Sequence, residues 1–264
     1  MVGRMPNLGL FLSSRCSFML CRGSNGGIAG YCMGEDELGN YLELVKREFF
    51  TLRIEWRLYR SLFGTNEETV ELLNKASSIT AHTLERVLFE RTLLGLRRLT
   101  DPYSGKKGRT KSVSVNGFIH IVPGEDNDLR SLVGIAVQRS SFARNWSDKR
   151  IAHADLAYRR GEAKLETASR AKVEAANGAI AAVLKHVAKK YFDTTLVTHP
   201  IPALGDERSF LRALYRGVLA IDEERSLEKQ LLQERNYEEL GRLQTRYERM
   251  PDWLTRDNPP IDAD

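Results

Sequence analysis

The sequence predicts an all-α protein, an antiparallel helical bundle with a polar mid-chain loop and a C-terminal helical extension. Apolar residues recur at helical spacing through most of the chain, and charged residues fill the faces between them. The stretches that break this pattern are few and polar. With 42% apolar and 28% charged residues over 264 positions, the chain can bury a core, and wholesale disorder is excluded. No run approaches the roughly 18 unbroken apolar residues of a membrane-crossing helix, so no membrane span is expected.

The first helix is the clearest. Leu38, Leu42, Val45, Phe49, Leu52, Trp56, Tyr59 and Phe63 alternate steps of four and three residues, a seam sustained to Gly64. Thr65 and Glu68 have capping-box spacing and predict a short second helix through about Lys75. A third runs from about Ile79 to Leu99 and is stopped by Thr100-Asp101-Pro102. Residues 103–126 interrupt the pattern. Ser104 to Arg109 is a polar, basic loop, and the stretch around Asn116-Gly117 reads as either a short hairpin or an irregular loop. A fourth helix is expected over roughly Asp126–Phe142, a fifth after Trp146, and a sixth over Ser169 to about Phe192 with Val173, Ala176, Ile180, Val183, Val187 and Tyr191 on one face. Beyond Pro200 and Pro202, residues 206–221 form an apolar-faced helix. Residues 222–248 are helical but highly charged, with a thin seam of Leu227, Leu231, Leu240 and Leu243. That segment reads as a solvated helix packing on the bundle or as a partner-binding coiled coil.

Charge and cysteine set the N-terminus apart. The first 32 residues hold all three cysteines (Cys16, Cys21, Cys32), six of the 20 glycines, and three arginines with no acid. Of the net charge of +5, only +2 belongs to the rest, so bulk charge does not argue for a nucleic-acid partner. Residues 1–32 read as a disordered tail or as sequence upstream of the true start at Met33, with a cleaved leader the weaker option. The body, lacking cysteine, has no disulfide framework and no expected Cys/His metal site.

Chemistry has few places to reside. There is no Gly-rich phosphate loop, G-x-S-x-G or H-E-x-x-H motif. Of five histidines, His82 and His186 lie in amphipathic helices and read as structural, while His120 and His199 lack a local catalytic neighbour. His153 differs, standing in the run Ala143 to Leu156 (ARNWSDKRIAHADL). On a helix, Lys149 and Arg150 lie four and three residues before it on the same face. Two fixed cations beside an imidazole favour its neutral, proton-accepting form, and the same cations can grip a phosphate. A neutral base beside a phosphate clamp is what transesterification by an RNA 2′-hydroxyl requires. The plainer alternative is a basic, solvated helical turn beside one surface histidine.

Ser147 to Asp155 (SDKRIAHAD) resembles the signature helix of HEPN domains, specifically the abortive-infection AbiU-type branch. Ile54 to Gly64 looks like the end of that family's first helix, and Leu93 to Pro102 (LLGLRRLTDP) like the end of its core helix before a polar loop. The resemblance implies a dimeric all-α bundle, the signature helices of two copies meeting, and a metal-independent ribonuclease site built on an Arg-x4–6-His motif, in phage defence or a toxin–antitoxin setting. Carried over, His153 takes the histidine role and Asp148 the polar position after the motif arginine. The motif arginine itself falls at Ser147, a departure; Arg144 is the nearest upstream arginine, nine residues before His153.

The expectations are therefore these. Residues 33–200 form the HEPN-like bundle, 201–249 the helical extension and 250–264 a polar tail. His153 is the base, with Arg150 and then Arg144 as phosphate contacts, and Asp148 orients the site. Lys149, Asn145, Lys106 and Lys107 meet RNA, with no metal and no cofactor. The expected partners are RNA, a second copy of the chain, and an antitoxin or defence protein, with no membrane; the expected location is the cytoplasm. The alternative function is a non-catalytic nucleic-acid or nucleotide-binding or dimerising module.

Overall fold

A computed structural model describes residues 32–105, 108, 110–153, 155–199 and 206–247. The expectations for the N-terminal tail, for Lys106, Lys107 and Arg109, and for residues 250–264 lie outside these. Among the described residues the protein is all-helical; one isolated antiparallel bridge, Ser104 to Lys111, is the sole β-type pairing. No described helix is long and apolar enough to cross a membrane.

Two long helices form the frame, α1 (Cys32–Phe63) and α2 (Glu67–Leu99). The α1 seam is the reason it is a helix and the reason it is buried: Leu38, Leu42, Val45, Phe49, Leu52 and Trp56 all face the core. A three-residue connection sends α2 back along α1. Arg91 pairs with Glu55 at 2.9 Å, Tyr59 meets Phe89, and Gly95 lies against Leu52. The numbers rise on one helix as they fall on the other, so the pair is antiparallel. The expected capping box is replaced by a neighbour. Asn66 is the N-cap, its Oδ1 accepting from the Thr69 N–H at 2.8 Å, while the Thr65 hydroxyl donates back to the Arg60 carbonyl. The break expected between about Lys75 and Ile79 is a kink at one extended residue, Ser77.

The stretch around Asn116-Gly117 is neither a hairpin nor an irregular loop. Val115–Gly117 is a 3-10 turn running into α3 (Phe118–Ile121). Two contacts override the turn preference of Asn116-Gly117. The Asn116 amide donates to the carbonyls of Thr100 and Asp101, tying the dipeptide to the end of α2. Val115 and Phe118, three residues apart, are both fully buried, which a helical turn permits and strand alternation does not. Gly117 has φ −65°, not the positive value of a two-residue hairpin turn.

α4 (Asn127–Arg139) is capped by Asp126, and α5 (Ser141–Trp146) follows after a break at Ser140. A short α6 (Leu156–Arg159) precedes α7 (Arg170–Phe192), which packs along α4 and against α1. Asp126 ties α4 to α7. Its buried carboxylate accepts from the Leu129 N–H, from Tyr191 at 2.9 Å and from His186 at 2.8 Å, and it pairs with Lys190. Burial alone would push this carboxyl up, but the backbone bond and the three side-chain partners outweigh it and hold it well below the usual range. Tyr191 is pushed up to about 12, by its own burial and by the carboxylate it donates to. His186 is structural, as its helical position suggested.

The C-terminal break falls later than expected. α8 (Glu207–Gln233) runs straight through residue 222, and α9 (Tyr237–Tyr247) begins after a left-handed Arg235. Leu211 and Leu214 of α8 pack on a second apolar cluster of Leu62, Leu73 and Ala81, so α8 lies on the α1–α2 pair. In the thin seam beyond it, Leu231 and Leu243 are buried and Leu227 is exposed.

Candidate functional site

The signature segment is not one regular helix. α5 continues into a π-helical turn, Ser147–Ile151, closed by the Ala152 N–H on the Ser147 carbonyl at 2.9 Å. The chain then leaves the helix, and the Asp155 N–H reaches back to the Lys149 carbonyl. Such wide turns cluster at functional positions. The wider turn moves the residues after 147 off the face that α-helical counting assigned them.

His153 therefore stands beyond the helix end, not one turn above Lys149 and Arg150. It is exposed and has no hydrogen bond, ion pair or ring contact with any described residue. The two cations expected beside it are engaged elsewhere. Lys149 donates to the Lys164 carbonyl at 3.0 Å. Arg150 donates to Glu90 at 3.1 Å and reaches the Tyr158 hydroxyl at 3.4 Å, and both partners hold its guanidinium more firmly charged. Asn145 accepts from the Glu166 N–H, and the Trp146 indole donates to the Glu166 carbonyl at 2.7 Å. Asn145, Trp146 and Lys149 thus strap residues 164–166 onto the signature segment.

On the other flank the structure assembles a cluster that sequence reasoning missed. Arg97 of α2 donates to the hydroxyl of Ser147, which is fully buried, and pairs with Asp148 at 3.1 Å. Asp101 lies 3.8 Å from Arg97 and 3.1 Å from Arg144, which also donates to the Thr100 carbonyl. Arg144 and Asp148 are brought together through Arg97 and Asp101, two guanidiniums with two carboxylates. Arg97 sits inside the stretch LLGLRRLTDP, but nothing local distinguishes it from Arg98; only packing shows which of the two turns toward residue 147.

Arg150 opens onto a cavity of about 550 Å³ between α1, α2 and the π turn. Tyr59, Phe89 and Trp146 form its apolar wall, the first two rings tilted at 5.4 Å and the last two edge to face at 5.8 Å. Arg150 lies 5.5 Å over the Trp146 ring, and His82, Arg86 and Arg170 reach the rim. His82 is thus exposed at a pocket rather than packed in a core. The steps from His82 to Glu85, Arg86 and Phe89 mark one face of α2, which is the signal that could have found it. Among the described residues, no three His, Cys, Asp or Glu side chains gather as metal ligands would.

An all-α bundle with a basic His-containing signature segment at a helix end is the arrangement of a HEPN-type protein. The AbiU2 family model, a HEPN family, matches residues 35–210, and the chain belongs to that family. Among the curated proteins and the solved structures no match is found.

Proposed function

We propose that this protein is a metal-independent endoribonuclease of the abortive-infection type. The observation that carries the reading is the Arg97 guanidinium against Ser147, the position at which the family motif has its arginine. The guanidinium absent at residue 147 is supplied to that slot by Arg97 from α2. His153, exposed at the end of the same turn, takes the proton of an RNA 2′-hydroxyl. The 2′-oxygen then attacks phosphorus, the bond to the 5′-oxygen breaks, and the leaving oxygen takes a proton from solvent. The products are a 2′,3′-cyclic phosphate and a 5′-hydroxyl end. Guanidinium charge near the scissile phosphate stabilises the charge that develops there. The aromatic wall beside Arg150 offers bases a stacking surface. An exposed His153 with no partner among the described residues also suits a site completed by a second copy, with an antitoxin as a further partner.

A second reading has its own support. Arg97 already shares its charge with Asp148 and Asp101, and Lys149 and Arg150 are engaged within the chain. That favours a module that binds RNA or a nucleotide without cutting it. Incubating the full chain with total RNA in EDTA, beside His153→Ala and with end mapping, separates the two. Cyclic-phosphate ends present for the wild type and lost in the variant support the nuclease; RNA binding with equal inertness in both refutes it.

A further inference from the structure

A second cluster lies away from the signature segment. On α1, Arg53, Arg57 and Arg60 follow one another by four and three residues and share one face. With Trp56, Glu174 and His199 they line a cavity of about 460 Å³. Arg170, at the start of α7, lines the adjoining pocket with Arg53 and Arg60, and it also reaches the aromatic cavity beside Arg150. Like charges at such spacings repel and need compensation. Two carboxylates supply it. Glu174 accepts from the Trp56 indole at 2.8 Å and from Arg60 at 2.8 Å, with Arg53 at 3.4 Å; Glu207 accepts from Arg57 and Ser61 at 3.2 Å. Burial pushes the Glu174 carboxyl up, yet the Trp56 and Arg60 bonds outweigh it and keep it below the ordinary range, so it remains charged. Four guanidiniums therefore face two carboxylates.

The remaining hydrogen-bonding capacity points the same way. Arg53 approaches His199 Nδ1 at 3.1 Å. A guanidinium can only donate, so Nδ1 is the acceptor in this contact. Arg53 Nε is buried and has no hydrogen-bond partner among the described residues. The pocket thus carries an excess of two positive charges over its carboxylates.

We infer that this pocket is a phosphate-binding site that holds a backbone phosphate of single-stranded RNA. The inference rests on RNA being the ligand of the signature face. Arg170 joins the two cavities, so a strand whose bases stack on Tyr59, Phe89 and Trp146 leads its phosphates toward the α1 arginines. Free polyphosphate has the same chemistry and is the other source of such a ligand.

The test is fluorescence anisotropy of a 12-nucleotide single-stranded RNA across a salt series, with inorganic pyrophosphate as competitor and thermal melting as the check on folding. Arg53→Gln/Arg60→Gln is expected to weaken binding about 10- to 100-fold at low salt and to lower the salt slope by about 0.7, the contribution of one phosphate contact to a single strand. Glu174→Gln removes a negative charge from the same pocket and is expected to tighten binding, a direction that a purely structural role does not predict. If the double variant fails to fold, Glu174→Gln decides alone, and unchanged or weaker binding there overturns the site. RNA binding with the same affinity and slope in all folded variants overturns the phosphate site and leaves the RNA reading standing. Pyrophosphate binding that is sensitive to these variants, without RNA binding, overturns the RNA assignment. No binding of either ligand overturns both.

Discussion

Replacing Arg97 by Met keeps the length of the side chain and removes its charge and donors. Ser147 is fully buried, and its hydroxyl takes its bond from Arg97. Stranding that hydroxyl costs about 1–3 kcal/mol. The lost pair with Asp148, a half-exposed carboxylate, adds about 0–1 kcal/mol. The expected destabilisation is therefore about 1–4 kcal/mol, or roughly 2–4 °C in Tm per kcal/mol for a chain of this size. Ser147→Ala alone should cost about 1 kcal/mol, because Arg97 keeps Asp148 and access to water. The double variant, having no stranded hydroxyl, should be more stable than the sum of the singles by about 1–2 kcal/mol. Urea denaturation of the four proteins measures this coupling. Additivity within about 0.5 kcal/mol would show that Arg97 and Ser147 do not act on one another, and the claim that Arg97 occupies the slot of the motif arginine would fall with it. The exchange Arg97→Ser/Ser147→Arg extends the test, since it keeps one guanidinium and one hydroxyl at the contact. It should be more stable than Ser147→Arg alone, which crowds two guanidiniums into a buried position.

Two further outcomes follow from the core. The folded Asp126 carboxyl is held below its unfolded value, so it contributes stability above about pH 4 that is lost as pH falls through the folded value. Asp126→Asn keeps the helix cap but should cost about 1–3 kcal/mol at neutral pH and flatten the loss of stability below pH 4; melting curves from pH 7 to pH 2 would read both, and an equally steep acid loss in the variant would contradict the assignment. Gly117→Ala should cost about 1–3 kcal/mol by overpacking, because the added carbon would lie 1.9 Å from the Tyr41 hydroxyl oxygen. That hydroxyl also accepts the Ser114 N–H, so the variant should lose Tyr41 ring order by NMR, and a native-like melting point would refute the packing argument.

The sequence by itself determined the helices and their buried faces, because period and burial are local properties that a pattern of four and three residues displays directly. The seam from Leu38 to Trp56, the core face of α7 from Val173 to Val187 and the stop near Pro102 are all legible in this way. The signature stretch was legible too, through its resemblance to a family that the chain does belong to. Elsewhere distant contacts decided the outcome. Asn116-Gly117 has the local preference of a hairpin turn, and the carbonyls of Thr100 and Asp101 overrule it. Lys149 and Arg150 have helical spacing to His153, but a π turn and partners at Lys164 and Glu90 take them away from it. Arg97 meets Ser147 across 50 residues, and Arg53 meets Glu174 across 121. The arginine stripe on α1 is visible in the sequence as a pattern, but whether its charge is neutralised depends on which carboxylates the fold carries to it. Local periodicity encodes which face is apolar; the partner of each charge is a matter of distance in space, and only the tertiary structure supplies that.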